Sequence, residues 1–415
     1  MVTGDQPSVA AGTPRLLRAI NERLALELIQ RLGPLSRAEI ARRSGLSKPT
    51  ISLALSRLEQ AGLVREVGRT TGGKGATALL YDLDPLAGSV LGIDVGRAWV
   101  RCAVADIAGG LRTRLDERTR ARSGRSLVAQ IGSLARRAAD AAGIELASVT
   151  RATIGSPGVQ QPGGHRVALA PNLPGWQRPG LMDALQAELG IQIEFENDVN
   201  LAAIAERWHG LGREVDDFVL LSVGTGVGMG VVLGGRLHQG ASGAAGEVGY
   251  LPIGPGDVHD PASRRSGTFE AAVGAAAVVA LARQLGLGRG VRTAEQVFAA
   301  ARRGDAVAGR VVAQVAERIA LGVAAVAAVL DPDLVVLGGG IGHNAGDLLL
   351  EPISRELRAC SPFRPRIAVS ALGADAVLRG TLATALAGAQ EQVYGVTPTT
   401  ALTDIGTATP REASP

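Results

Sequence analysis

Residues 224–250, GTGVGMGVVLGGRLHQGASGAAGEVGY, decide the fold of this chain. Apolar residues flank a glycine-rich turn, a pattern that predicts a β-hairpin. Glycines let backbone N–H groups approach an anion closely, so such a turn can cradle phosphate, although a tight hairpin needs glycines too. The following loop presents Glu247, and the stretch ends in Tyr250. The stretch therefore predicts a strand pair beside a ligand cleft.

The composition bounds the class of protein. A chain of 415 residues, with 46% hydrophobic and 20% charged residues, predicts a globular protein of two or three domains. Its two cysteines, Cys102 and Cys360, fit a reducing cytoplasm and are too few for a cysteine-rich zinc site. The N-terminus has no signal pattern. The apolar runs 271–282 and 319–330 are shorter than the roughly 20 residues of a membrane span, so they predict buried helices and a cytoplasmic protein without a membrane partner.

The positive charge is unevenly distributed. Residues 1–85 hold 12 Lys/Arg against 8 Asp/Glu, whereas residues 86–415 hold 31 of each. The whole net charge of +4 therefore lies in the first fifth of the chain. Such a division is typical of a nucleic-acid-binding module joined to a neutral body, although an excess this small also arises by chance.

The segment 14–84 carries the pattern of a winged helix-turn-helix. Apolar residues at helical spacing start at Pro14, and Gly33 ends that helix. Ser36 and Glu39 form a capping-box pattern for a second helix, and Ser47 caps a third over residues 48–61. Strands at 63–67 and 79–83 around a basic loop, residues 68–76, predict the wing.

The exposed polar residues of this module are the candidate DNA contacts. A recognition helix places its N-terminal polar residues in the major groove, and basic wing residues meet phosphates. The alternative is a small helical protein-interaction module. The candidate contacts are Ser47, Lys48, Thr50, Ser52, Arg57, Arg69 and Lys74.

The body repeats one pattern twice. Strands at 90–95, 99–105 and 111–118 form a meander, followed by a helix near 126–142 and a strand at 152–155. A second meander begins near Phe218. Two related halves, one with an acidic turn and one with a glycine-rich turn, predict an α/β protein of the two-lobed, actin-like ATPase architecture.

Several motifs together resemble the ROK family of bacterial sugar kinases and sugar-responsive repressors. They are GIDVG at 92–96, GSPGV at 155–159, PNLPGW at 171–176, ENDVNLAA at 196–203, the stretch 224–250, LGGGIG at 337–342 and ALGADAVLRGTLATAL at 371–386. The leading winged helix resembles the repressor branch, because the family's kinases lack it.

The resemblance implies roles for individual residues. Asn197 and Asp198 match the pair that holds the sugar, with Asp198 as the base that deprotonates the accepting hydroxyl. Glu247 and Glu270 match the glutamates that bind sugar hydroxyls, and Tyr250 stands beside them. The implied nucleotide-binding residues are Asp94, Gly96, Gly224, Thr225, Gly226, Gly338, Gly339 and Gly340.

Plainer structural roles are open for the same side chains. Asn197 and Asp198 fit a helix N-cap after a strand, and Glu247 fits an exposed loop. Glu270 fits the solvated start of a helix over residues 269–282.

The sequence departs from the family pattern in three places. Arg97 and Ala98 replace the Gly and Thr that follow the early Asp-x-Gly, and Tyr250 replaces a zinc-binding histidine. The cysteine-rich zinc segment is absent from residues 251–269, where Asp257, His259 and Asp260 are the remaining candidate ligands of a solvated loop. The departures predict a catalytically inactive domain without zinc or another cofactor, in which Asp198 is a vestigial base.

The predicted protein is a transcriptional regulator, a repressor of carbohydrate genes. Residues 14–84 bind operator DNA, and residues 86–390 sense a sugar or sugar phosphate and form a homodimer or homotetramer. Residues 1–13 and 391–415 are predicted to be disordered. Two alternatives remain: an active ATP-dependent sugar kinase with an accessory DNA-binding domain, and a regulator controlled by a protein partner, with a vestigial pocket.

Overall fold

The computed structural model describes residues 14–70, 77–160, 167–168, 176, 180–288 and 290–394. These residues form an N-terminal module and two lobes, each lobe built on its own five-stranded sheet. The predicted winged helix followed by a two-lobed α/β body is confirmed.

The N-terminal module packs three helices against a small antiparallel sheet. Its elements are α1 (Pro14–Leu32), β1 (Leu35–Ser36), α2 (Arg37–Ser44), α3 (Lys48–Gln60), β2 (Val64–Arg69) and β3 (Leu79–Leu83). The strand order is β1-β3-β2, so β1 adds a third strand that the sequence did not suggest. Gly45 ends α2 with a φ of 71°, a conformation that glycine adopts without strain.

One local detail differs from expectation. Ser36 caps α2 by accepting the Glu39 N–H at 3.2 Å, but the Glu39 carboxylate binds Arg42 and Arg43 instead of completing a capping box. Two arginines one turn further along offer stronger, charge-assisted hydrogen bonds than one backbone N–H.

The face of α1 that is buried is narrow. Ala25, Leu26 and Ile29 are buried in the core of the module, while Leu17 and Ile20 are about half exposed. The periodicity correctly predicts the helix but not which of its apolar residues contact the core.

The first lobe contains a mixed sheet in the order β10-β7-β4-β5-β6. Helices α4 and α5 cover one face of this sheet, and a two-stranded hairpin, β8–β9, lies outside it. The elements are β4 (Ser89–Val95), β5 (Trp99–Asp106), β6 (Leu111–Arg118), α4 (Gly124–Ala141), β7 (Arg151–Ser156), β8 (Val159–Gln160), β9 (Val167–Ala168), α5 (Leu181–Leu189), β10 (Ile193–Asn197) and α6 (Asp198–His209).

The second lobe repeats this topology, with the order β13-β12-β11-β14-β15. In both lobes a meander of three strands is extended by two parallel strands on the far side of its first strand. The elements are β11 (Phe218–Val223), β12 (Val227–Leu233), β13 (Arg236–Leu237), α7 (Pro261–Ser266), α8 (Thr268–Val273), α9 (Ala275–Gln284), α10 (Ala294–Arg302), α11 (Ala306–Leu330), β14 (Leu334–Gly338), α12 (Gly339–Asn344), α13 (Gly346–Cys360), β15 (Arg366–Val369) and α14 (Ala376–Tyr394).

Helices α6 and α14 pack against each other between the lobes. α14 covers the free face of the first sheet, and α6 contacts the second sheet. At Gly380, a Cβ atom would lie 2.0 Å from the Leu201 carbonyl oxygen, so only glycine permits this close approach. The sugar-site candidates therefore stand at a junction of both lobes, since α6 begins at Asp198.

The apolar run at 319–330, which is shorter than a membrane span, is part of the 25-residue helix α11. By length and composition it is the one described helix that could cross a membrane. However, 56% of its most apolar window is buried within the second lobe, as is common for the core helix of a soluble protein.

Two predicted boundaries need correction. The apolar run at 271–282 does not form one helix, because Gly274 separates α8 from α9, and the Ala275 N–H donates to the Gly224 carbonyl. The last helix runs to Tyr394, so residues 391–394 belong to the body instead of a disordered tail. The predicted disordered residues 1–13 and the rest of the tail lie outside the described residues.

The N-terminal module touches the body through the end of α14. Gln30 on α1 donates to Gln390 at 2.7 Å, and Gln390 donates to the Ile107 carbonyl at 3.0 Å. Ala108, in the turn between β5 and β6, packs against the core of the module. α14 is thus in contact with the DNA-binding candidate and with both lobes.

Candidate DNA interface and ligand cleft

The start of α3 is built as a recognition helix. Ser47 accepts the Thr50 N–H at 3.3 Å, and the two hydroxyls lie 2.7 Å apart, which fixes the first turn. Lys48 is exposed beside them, and Ser52 is partly exposed on the next turn. Ile51, Leu55 and Leu58 are buried as predicted.

The predicted contacts Arg57 and Arg69 differ in their surroundings. Arg57 lies in the last turn of α3, and its guanidinium binds the Glu22 carboxylate on α1 at 3.3 Å. This pair joins two helices of the module, so Arg57 is positioned as a scaffold residue. Arg69 is exposed on β2, while Lys74 lies outside the described residues.

Leu53 is a surface residue of α3 that the sequence reasoning missed. Leu53 is 53% exposed. An apolar side chain in this position can contact a thymine methyl group in a major groove. The available signal was that Leu53 falls off the stripe formed by Ile51, Leu55 and Leu58.

Asn197 and Asp198 lie where β10 passes into α6. The side-chain oxygen Oδ1 of Asn197 accepts the N–H groups of Val199 and Asn200 at 2.8 and 3.2 Å, and its side-chain Nδ2 donates to the Gly158 carbonyl. The N-cap role is therefore real. Within the described part of the chain, this role leaves one N–H of the Asn197 side chain for a ligand.

Asp198 opens α6 and faces other carboxylates. Burial, together with the charges of Asp94 and Glu247, raises the pKa of Asp198 to about 6, against the opposing effect of a hydrogen bond from the Val199 N–H. Asp94 belongs to the first lobe and Glu247 to the second. The structure thus brings residues from three distant segments to one cleft.

Glu247 and Glu270 form the second-lobe side of that cleft. Glu247 is half-buried, and burial together with the Glu270 charge raises its pKa, so it is not a fully solvated loop carboxylate. Glu270 accepts the Val227 N–H at 3.0 Å, at the end of the glycine turn. Burial raises the pKa of Glu270, and this hydrogen bond counteracts the rise. Glu270 therefore fixes the turn instead of merely solvating a helix start.

Tyr250 fastens the segment that replaces the family's zinc loop. Its phenol is 40% exposed and donates to the Arg265 carbonyl on α7 at 3.0 Å. Burial and the charges of Glu247 and Glu270 raise its pKa. Tyr250 is both a cleft residue and a tether.

The two predicted glycine groups meet in the second lobe. A Cβ atom on Gly224 would lie 3.3 Å from the Gly340 amide nitrogen. Gly339 has a φ of 75°, and its Cβ would lie 2.6 Å from the Val223 carbonyl oxygen. Thr225 is exposed at the tip of the turn, between Gly224 and Gly226, and Gly338 ends β14 beside them. The glycines of this predicted phosphate turn therefore allow close backbone contacts.

The corresponding turn of the first lobe differs because the aspartate beside it, Asp94, is already paired with a cation. Gly96 closes a tight turn by donating its N–H to the Trp99 carbonyl at 2.9 Å, and Arg97 and Ala98 are exposed at the tip. Arg101 on β5 binds the buried Asp94 carboxylate at 2.7 Å. The sequence reasoning missed Arg101, although antiparallel pairing of the predicted strands places it opposite Asp94.

The residues in the region of the family's zinc site do not fit a metal ion. Asp257 accepts the His259 N–H at 2.9 Å in an exposed turn. Within the ranges that the structure describes, no group of three His, Cys, Asp or Glu side chains is placed to hold a metal. Zinc needs four ligands in a closed structural site.

The fold and the site define a two-lobed, sugar-kinase-like protein with an N-terminal winged helix. The sequence profile of the ROK family matches residues 90–387, and that of the MarR family matches residues 18–74. The chain belongs to the ROK family.

Known relatives fall into two kinds. The chain is 28% identical to the xylose repressor of Caldicellulosiruptor bescii, over 90% of this chain and 96% of the repressor. It is 30% identical to the glucokinase of Halalkalibacterium halodurans, over 70% of this chain and 92% of the kinase. A solved ROK family transcriptional regulator, a homologue of the Escherichia coli MLC protein, superposes with a TM-score of 0.72, at 23% identity, over 94% of this chain and 98% of the regulator. The regulators match nearly the whole chain, and the kinase matches a smaller part.

Proposed function

We propose that this protein is a DNA-binding transcriptional repressor of carbohydrate genes, controlled by a sugar or sugar phosphate in the cleft between its lobes. The observation that carries the proposal is a winged helix whose first helix contacts α14, the same helix that packs on α6 behind Asp198. Regulator relatives that match nearly the whole chain support it. The protein is proposed to act in the cytoplasm as a homodimer or homotetramer, because paired half-sites in DNA suit symmetric oligomers.

The proposed ligand chemistry follows from the side chains of the cleft. Carboxylates of Asp198, Glu247 and Glu270 accept hydrogen bonds from sugar hydroxyls, and Asn197 donates one. A ligand that contacts both lobes favours one closure angle over another. Because α14 touches both the lobes and α1, that angle sets the position of the DNA-binding module.

Mapping of bound genomic DNA identifies the operator, and fluorescence anisotropy then measures its binding at several salt concentrations. Lys48→Ala is expected to weaken binding several-fold and to reduce the salt slope by about one. Arg57→Ala is the matched control, since its guanidinium binds Glu22, and it should leave the salt slope unchanged. A folded Lys48→Ala protein that binds every operator like wild type would contradict the proposed interface.

Calorimetry tests the effector with xylose, glucose, N-acetylglucosamine and their phosphates. One of them is expected to bind, to release the operator, and to lose at least tenfold in affinity in Glu247→Gln. If none binds while DNA binding is intact, the ligand part of the proposal is wrong, and control by a protein partner is the remaining alternative.

The active-kinase alternative is favoured by one observation, the pKa of Asp198 near 6, which suits a general base. An assay of ATP consumption with hexoses decides it. Turnover that is abolished in Asp198→Asn would replace the proposed inactive domain with an enzyme.

A further inference from the structure

Arg101 is the cation nearest to the aspartate that the family resemblance assigns to nucleotide binding. Its Nη1 atom lies 2.7 Å from Oδ2 of Asp94, and its Nε atom lies 3.6 Å from Oδ2 of Asp116. The three residues occupy directly opposed positions on β4, β5 and β6, so their side chains share one face of the sheet. Asp94 is buried, with 7% of its side chain exposed, and Arg101 is partly buried, with 17% of its side chain exposed.

The neighbouring charges hold Arg101 in this place. Arg114 binds both oxygens of Asp116 at 2.9 Å and also binds Asp375 at 2.9 Å, just before α14. A guanidinium held by carboxylates on two sides has little freedom to turn away. These alternating charges, Asp94, Arg101, Asp116, Arg114 and Asp375, therefore form a row from the cleft to the junction of the lobes.

We propose that Arg101 is the residue that closes the first-lobe phosphate site to a metal–nucleotide complex, by serving as a permanent internal counter-ion of Asp94. Mg²⁺ needs oxygen ligands at about 2.0–2.1 Å in octahedral geometry, and nucleotide kinases use it to bridge phosphate oxygens. Here one carboxylate oxygen is already bonded to a guanidinium, whose positive charge also repels a divalent cation. The site thus does not fit the nucleotide complex that the fold family implies.

Arg101 acts on a different part of the site from Arg97 and Ala98. Arg97 and Ala98 place side chains on the exposed turn that the resemblance assigns to the phosphoryl group, whereas Arg101 pairs with the carboxylate beneath that turn. The proposed role of Arg101 extends the proposed loss of kinase activity and is independent of operator binding. A measurement of nucleotide binding therefore tests it separately from the proposed repressor function.

The experiment is calorimetric titration with Mn²⁺ and a non-hydrolysable ATP analogue. Wild type is expected to show no saturable binding at millimolar ligand. Arg101→Met is expected to bind at least tenfold more tightly, and the added substitution Asp94→Asn should abolish that gain. Arg112→Met is the matched control, because Arg112 pairs with the largely buried Asp106 at the far end of the same hairpin and should remain like wild type.

A second variant separates the two possible causes. Arg97→Gly combined with Ala98→Thr restores the family turn at exposed positions and keeps Arg101, so it is expected not to bind. Binding by this repaired turn, or binding by wild type that Asp94→Asn removes, would overturn the proposal even if Arg101→Met fails to fold. A folded Arg101→Met protein with wild-type behaviour would overturn it as well.

Discussion

The two lobes share one strand order but differ at the turns that the family resemblance assigns to phosphate binding. In the second lobe the turn from Gly224 to Gly226 is held by the Glu270 carboxylate, which accepts the Val227 N–H, and lies close to the Gly340 amide. In the first lobe, the equivalent turn carries Arg97 and Ala98, and the aspartate beneath it is bonded to Arg101. The first-lobe turn is thus set by paired charges, and the second-lobe turn by close backbone contacts.

Breaking the Arg101–Asp94 pair of the first lobe should cause the largest loss of stability. Arg101→Met leaves Asp94 and Asp116 without their shared cation, which costs about 3–5 kcal/mol when a buried pair is broken. Arg112→Met removes a pair whose arginine is 41% exposed and should cost less than about 1 kcal/mol. Urea unfolding of both variants at pH 7.5 measures the difference. Equal losses would show that the Arg101 pair is not special.

The second-lobe turn should be destabilised by a single added methyl group. Gly339→Ala places a Cβ atom 2.6 Å from the Val223 carbonyl oxygen at a positive φ, and we expect a loss of about 2–3 kcal/mol. Gly96→Ala, in the first-lobe turn, meets its nearest atom at 3.2 Å and should cost less than about 1 kcal/mol. Thermal unfolding compares the pair. A tolerant Gly339 would mean that the second turn is not sterically fixed.

The cleft between the lobes should become more stable when one carboxylate is neutralised. The pKa of Asp198 is raised to about 6, so the folded state favours the protonated acid and loses stability as pH rises from about 4 to about 6. Asp198→Asn keeps the acceptor for Val199 and removes this cost. We expect about 1 kcal/mol of added stability at pH 7.5, after allowance for partial solvent screening, and none at pH 3.5. Melting curves at both pH values measure it; an equal gain at both would contradict the assigned cause.

The smallest effect is expected at Tyr250. Tyr250→Phe removes the hydrogen bond to Arg265 at a partly exposed site, for a loss of about 0.5–1 kcal/mol. Hydrogen exchange should increase in α7 and remain unchanged in α10. Unchanged exchange in α7 would show that the phenol does not tether this segment.

Most elements of the fold could be predicted from local pattern. The caps at Ser36 and Ser47, the meander strands and the glycine turns each depend on residues close in sequence. The break at Gly274 could not, because it is set by contact with Gly224, some 50 residues earlier. The candidate cleft residues came from motifs, and Arg101 was missed because no motif includes it.

The sequence by itself determined the winged helix, the duplicated α/β body and the family, since periodicity, caps and motifs are local properties of the chain. Only the tertiary structure decided which charges meet. It joined Asp94 to Arg101, placed Arg57 against Glu22, and gathered Asp198, Glu247 and Glu270 in one cleft. The reason is physical: electrostatic energy depends on distance and burial, and both are set by how remote strands and helices pack.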